Sequence, residues 1–338
     1  MDTMIDPKLP LIDLHHHLDG SVRLETILDL GLQHSLPLPA KTLEGLRPYV
    51  QVSTPQPGVM AFIEKFEWMT GILVNYDACR RIAYENVEDA AREGLDYIEL
   101  RYSPWFMAEA HHLDPVGVVE AVTDGVKSAK RDFSMHANQV GILSRHYGPE
   151  VAAKELEALL AFKADFCGLD LAGDEAHFPG NLFVEHFRRA REAGWHITVH
   201  AGEADGPASI WQALRELGAE RIGHAVRAPE DPGLIEYLRD HHIGIECNLT
   251  SNVQTSTVQD YPAHPLRFFL EQGLLATINT DDPGISAIDL HYEYNVAAPK
   301  AGLSREQCRQ AQVNALETAF LGDAEKQALL EKKSHCKD

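Results

Sequence analysis

The chain lacks several features that would assign it to common functional classes. No apolar run approaches the roughly 18 residues needed to cross a bilayer as a helix. The opening Met1-Asp2-Thr3-Met4-Ile5-Asp6 has no basic stretch followed by an apolar one, so a secretory leader is not expected. Cysteine is scarce: Cys79, Cys167, Cys247, Cys308 and Cys336 are odd in number, scattered, and never spaced as Cys-x-x-Cys. A disulfide framework and a thiolate metal site are both disfavoured, and buried or idle thiols in a reducing cytoplasm are expected. Basic residues are few, 30 Lys and Arg against 51 Asp and Glu, for a net charge of -21. Such a surface repels polyanions, which argues against nucleic acid and against anionic membranes as partners. There is also no Walker-type phosphate cradle and no Gly-x-Gly-x-x-Gly after a strand.

What is present is a large α/β chain. Of its 338 residues, 44% are hydrophobic, enough for one substantial core. Short apolar runs at 9–17, 95–103, 134–143, 166–172, 196–201, 221–226, 243–249 and 274–280 read as strands. Between them lie stretches with helical periodicity, such as Leu182, Val184, His186, Phe187 and Ala190. Eight such alternations predict a parallel (β/α)8 barrel of the TIM type, in a single domain spanning 1–338. The first crossover, from about 18 to 94, is too long for one helix and predicts a helical insertion at the barrel mouth. Within it Phe62, Ile63 and Phe66 form an apolar stripe that suits either ordinary packing or a lid over an apolar ligand. The tail from Ser304 to Lys333 predicts extra closing helices.

Chemistry in such barrels sits at the C-terminal ends of the strands. There the chain places His15, His17 and Asp19; Asp170, Asp174 and Glu175; His200 and Glu203; His224; and Asp281 and Asp282. Strand alternation puts His15 and His17 on one face and His16 on the other, toward the helices. Three imidazoles and a carboxylate, His15, His17, His200 and Asp281, suit a single zinc ion with a position left for water, whose pKa the ion would lower. Asp281 can bind through one oxygen and accept the water's proton with the other. His224 can orient that water. Glu203 can present a protonated carboxyl to a leaving group or ring nitrogen, although a helix N-terminal acid is the rival reading. Asp282 points away from Asp281 and serves better as a substrate contact. No lysine ends the fourth strand, which favours one metal over a carboxylate-bridged pair. His196 begins its strand, at the wrong end for catalysis. Asp174 and Glu175 suit a loop or helix cap. His34, His111, His112, His241 and His242 are expected in solvent.

These segments, His15-His16-His17-Leu18-Asp19-Gly20-Ser21, Asp170-Leu171-Ala172-Gly173-Asp174-Glu175, Thr198-Val199-His200-Ala201-Gly202-Glu203, Gly223-His224, Leu249-Thr250-Ser251-Asn252 and Asn279-Thr280-Asp281-Asp282-Pro283, together resemble the adenosine deaminase family of zinc amidohydrolases over almost the whole chain. Ser209-Ile210-Trp211-Gln212-Ala213 is similar to its bacterial branch. The resemblance implies hydrolysis of adenosine or 2′-deoxyadenosine to inosine or deoxyinosine and ammonia, in purine salvage. It implies one Zn2+ per chain on His15, His17, His200 and Asp281. It also implies that Glu203 protonates purine N1, His224 stabilises the tetrahedral intermediate, Asp282 contacts N7 and the Gly173 backbone contacts N3. His17 and Asp19 would lie near the ribose, and Phe62, Ile63 and Phe66 would form the lid. The family usually has Gly where this chain has Ala225, which bears on the placement of His224. Relatives acting on free adenine usually carry Glu where Asp19 stands, so Asp favours the nucleoside. The absence of a Lys or Arg cluster at the rim disfavours a nucleotide phosphate. A monomer acting on a small molecule is the expected state, and a binding protein that had lost catalysis would have lost Glu203 or a ligand.

Overall fold

The computed structural model describes residues 3–335, so Cys336 lies outside the described residues. Eight strands, β1 (Ile12–His17), β2 (Tyr97–Tyr102), β3 (His136–Ser144), β4 (Phe166–Ala172), β5 (His196–Ala201), β6 (Arg221–His224), β7 (Gly244–Cys247) and β8 (Leu275–Ile278), pair in parallel in sequence order. The circle closes at the rim: Asp281 N–H donates to the His15 carbonyl at 2.8 Å, and His17 N–H to the Asp281 carbonyl at 2.7 Å. This is the expected (β/α)8 barrel.

The strands are shorter than the apolar runs at 221–226, 243–249 and 274–280. The reason is local. His224 and Ala225 take left-handed backbone angles, φ of 66° and 53°, which end β6 at the rim, whereas β8 lapses after Ile278 and Asp281, at φ 64°, rejoins the sheet only as a bridge to His16. After β7 the chain instead turns directly into the helix Leu249–Gln254.

The crossover after β1 holds helices at Leu24–Gln33, Leu43–Val50, Val59–Ile63, Glu67–Thr70 and Tyr76–Arg92. The last begins where the Asn75 side chain accepts from Ala78 N–H at 3.0 Å. Its buried face, Ala78, Cys79, Ile82, Ala83, Asn86, Val87 and Ala90, recurs every three or four residues. Asn86 on that face meets His16 Nε2 at 3.0 Å, so His16 does face the helices.

The tail forms helices Arg305–Thr318 and Asp323–His335. The first starts with a capping box between Ser304 and Gln307. The turn beyond it seals the N-terminal end of the barrel. Phe320 N–H donates to Glu99 at 2.7 Å, and the Phe320 ring stacks on His196 and lies under the Arg221 guanidinium. His196 is therefore at the end opposite the rim, as its position predicts. Cys79, Cys247 and Cys308 are buried and Cys167 half-buried, all as free thiols. Two of the histidines expected in solvent, His34 and His111, are half-buried; His111 Nε2 lies 2.7 Å from the Gly71 carbonyl, an interaction that its loop sequence does not reveal.

The barrel interior departs from the usual layers of branched aliphatics. Arg101 donates to Asp170 and Glu246, each at 2.8 Å; Arg221 donates to Glu246 at 2.6 Å and also to Glu99. All of these side chains are buried. Burial is tolerable because every charge is paired and hydrogen-bonded.

Candidate metal and active site

The network ends at the rim in a cluster of donors. His15 Nε2 lies 3.1 Å from His200 Nε2 and 3.1 Å from Asp281 Oδ1; His17 Nε2 lies 3.2 Å and 3.3 Å from the same two atoms. One ligand atom from each of the four residues falls within 4.8 Å of every other, and all four residues are buried. A tetrahedral ion with bonds of about 2.0–2.1 Å has edges of about 3.4 Å.

Proton placement supports the same reading. His15 Nδ1 lies 2.7 Å from Glu246 Oε2, and His200 Nδ1 lies 2.9 Å from Asp170 Oδ2. Burial would raise Glu246, but the pull of Arg101 and Arg221 outweighs it and leaves the carboxyl well below the usual carboxylate range; Asp170 is also held low, with His200 and Arg101 overcoming burial. Both are therefore acceptors, so each imidazole carries its proton on Nδ1 and a bare lone pair on Nε2. Two lone pairs facing each other at 3.1 Å in a buried site repel unless a cation lies between them. Burial also pushes His200 down to about 3, so it is a neutral ligand at physiological pH. The donor set fits a divalent ion of the zinc type.

A pocket opens beside these donors. Its lining includes His17, Asp19, Phe62, Ile63, Phe66, His146, Gly173, Glu203, His224, Ser251, Asp281 and Asp282, and among the described residues no lysine or arginine. The residues given metal, catalytic or substrate roles from the sequence lie in the cluster or the pocket, whereas Asp170, Asp174 and Glu175 lie outside both. Phe62 and Phe66 are buried, and Phe66 sets its ring edge-on to Phe106 at 5.5 Å. Gly173 has φ +108°, and a Cβ there would come 2.5 Å from His146 Nδ1, so only glycine fits. A Cβ at Gly20 would strike Asp282 Oδ1 at 1.9 Å, which fixes the close approach of the β1 and β8 loops.

The carboxyls of the pocket are held in different states. Burial, then the charges of Asp281 and Glu175, pushes Glu203 well above the usual range. Burial and the neighbouring Asp281 do the same to Asp282. Asp281 itself stays well below, because His15, His224 and His17 outweigh its burial. Glu203 and Asp282 are thus pushed up and Asp281 down, the kind of separation that acid–base work uses. Oδ1 of Asp19 and of Asp282 and Oγ of Ser251 are buried without a hydrogen-bond partner, leaving polar atoms for a ligand.

Glu203 is not a helix N-terminal acid: the helix begins at Pro207 with Gly206 as its cap. Glu175 is a cap, but of another loop. Its carboxylate accepts from the backbone N–H groups of Gly202, Glu203, Ala204 and Asp205 at 2.6–3.1 Å, which holds the Glu203 loop rigid. Asp174 caps its own loop: its Oδ1 accepts from the His177 backbone N–H at 3.3 Å and lies 2.9 Å from Nδ1 of the exposed His177 ring. Glu246 and Arg101 were not marked from the sequence, although an acid inside the apolar run at 243–249 was the available signal.

The sequence model described as "Adenosine deaminase" matches residues 10–335. An adenosine deaminase of Salmonella paratyphi C is 59% identical over 329 residues, covering 97% of this chain and 99% of the relative. Among solved structures, the adenine deaminase of Arthrobacter aurescens aligns with a TM-score of 0.87 at 25% identity, over 96% of this chain and 98% of its own. A zinc-bound amidohydrolase of Burkholderia ambifaria shares the fold at a TM-score of 0.87 and 24% identity, over 97% and 90% of the two chains. By its sequence over nearly its full length, and with the rim geometry just described, this chain belongs to the adenosine deaminase family.

Proposed function

We propose that the chain is a one-domain adenosine deaminase that holds one zinc ion on His15, His17, His200 and Asp281. It converts adenosine and 2′-deoxyadenosine, with water, to inosine and deoxyinosine with release of ammonia, as a monomeric cytoplasmic enzyme of purine salvage. The observation that carries this reading is the meeting of four metal-type donors with the buried carboxyl of Glu203 at one pocket. A bound zinc ion supplies Lewis acidity and lowers the pKa of water at the site.

The chain's own residues do the rest. Glu203 donates its proton to purine N1, which makes C6 more electrophilic. Asp282, also protonated, donates to N7 through a carboxyl whose Oδ1 has no hydrogen-bond partner. The Gly173 N–H donates to N3. Asp281 Oδ2 accepts one proton of the attacking water and passes it to the amino group, which leaves as ammonia; the second water proton returns to Glu203, and His224, 3.9 Å from Asp281 Oδ2, donates to the oxygen developing at C6. Phe62, Ile63 and Phe66 cover the base and exclude bulk water. Asp19 faces the ribose, and the lining without lysine or arginine favours a neutral nucleoside over a nucleotide.

The test is turnover of adenosine, 2′-deoxyadenosine, adenine and AMP by the purified protein, with its metal content measured in parallel. Preference for the nucleosides at one zinc per chain is expected. Faster turnover of adenine or AMP would overturn the substrate assignment.

A further inference from the structure

His224 can stabilise the reacting oxygen only if its proton sits on Nε2, the nitrogen 3.9 Å from Asp281 Oδ2 in the donor cluster. In a neutral imidazole the proton can sit on either nitrogen, and the group bonded to the other one decides. The decisive partners here lie behind the ring. Asn252 Nδ2 is 3.0 Å from His224 Nδ1, and Asn248 Nδ2 is 3.2 Å from it. Asn252 Oδ1 in turn lies 3.2 Å from His264 Nε2. His264 Nδ1 accepts from the backbone N–H of Leu266 at 3.1 Å. All four side chains are buried.

The direction of this chain is fixed from its far end. A backbone N–H can only donate, so His264 Nδ1 carries a lone pair and its proton is on Nε2. His264 therefore donates to Asn252, which fixes the amide with its oxygen toward His264 and its nitrogen toward His224. The other amide hydrogen has a place as well: Asn252 Nδ2 lies 3.2 Å from Thr257 Oγ1, whose own hydrogen goes to the Asn252 carbonyl. His224 Nδ1 must then accept. Among the described residues, the carboxyl near that nitrogen is Glu203, whose Oε1 at 3.6 Å is beyond hydrogen-bond reach.

We infer that Asn252 and His264 are positioning residues that lock His224 in the tautomer with its proton on Nε2, aimed at the reacting oxygen. The inference rests on the proposed deaminase reading for its effect on rate, but the tautomer itself can be read without turnover.

Asn252→Asp is the informative change. It keeps the shape and the acceptor for His264, but presents an oxygen to His224 Nδ1 and draws the proton there. In the metal-loaded protein, nitrogen-15 correlation spectra of labelled histidine, with His224 assigned through a His224→Gln sample, should show Nε2 protonated in the parent and Nδ1 protonated in the variant. The kcat for adenosine should fall about 100-fold or more, the size of losing one preorganised donor, with KM within about threefold and metal content unchanged. His264→Leu should lower kcat by about tenfold, and His264→Gln, which restores an N–H donor to Asn252, should recover most of it; this pair decides the matter if Asn252→Asp does not fold. A parent spectrum with the proton on His224 Nδ1, or an Asn252→Asp enzyme that keeps kcat within threefold, overturns the inference. Failure of the parent to deaminate adenosine would instead overturn the functional reading, with the spectra still reporting the tautomer.

Discussion

Replacing Glu203 with Gln separates acid catalysis from metal binding. Glu203 lines the pocket but contributes none of the four clustered donor atoms, so the variant should keep its metal. Its loop should also stay in place, because Glu175 holds that loop through backbone N–H groups that the substitution does not alter. What is lost is the proton for the ring nitrogen. A positioned general acid is worth about 10²–10⁴ in rate, or about 2.7–5.5 kcal/mol of barrier at 1.36 kcal/mol per tenfold. The loss of ultraviolet absorbance as adenosine is deaminated gives kcat, and metal analysis of the same sample gives occupancy. A further sign follows from linkage. The folded-state pKa of Glu203 is raised above its ordinary value of 4.5, so folding retains a proton that the unfolded chain releases. This group's contribution to stability is complete below the unfolded value and is lost as pH rises toward the folded one. Metal-stripped Glu203→Gln should therefore melt with the parent at acid pH and above it at neutral pH. Loss of metal in the variant, or a kcat within tenfold of the parent, would refute the assignment of Glu203 as an acid that is not a ligand.

Three other outcomes are expected. His15→Ala should purify with little or no zinc and no measurable turnover, since it removes one of four donors and leaves Glu246 Oε2 without its imidazole partner; metal analysis checks it. Phe62→Ala should raise KM for adenosine by about 10–100-fold with a smaller change in kcat, because a buried aromatic side chain contributes about 1.5–3 kcal/mol; steady-state kinetics separate the two terms. Ala225→Gly should change the melting temperature little. It relieves a left-handed alanine at φ 53° by about 1 kcal/mol, but gives up a buried methyl and adds freedom to the unfolded chain, which offset it by a similar amount. A thermal melt with a shift above several degrees in either direction would contradict that balance.

Most of the barrel was legible because each strand is buried on both faces and so reads as a short apolar run between amphipathic helices. The runs at 221–226, 243–249 and 274–280 overshot the strands for a physical reason. After β6 the apolar Ala225 and Val226 follow a chain already turned left-handed at His224, after β7 Leu249 opens a helix, and after β8 the polar Asn279 and Thr280 lie between the strand and the bridge from Asp281 to His16. The donors were legible because polar residues ending apolar runs are costly unless they are used, and because alternation alone separates His15 and His17 from His16.

The sequence by itself determined the donor types, the side of β1 that carries them and the rim at which they gather. Only the tertiary structure decided their protonation. Glu246 and Asp170 reach His15 and His200 across the barrel interior from other strands, and Asn252 and His264 reach His224 from behind. The position of a proton on an imidazole depends on what lies within about 3 Å of each ring nitrogen, and those neighbours are up to 231 residues away along the chain.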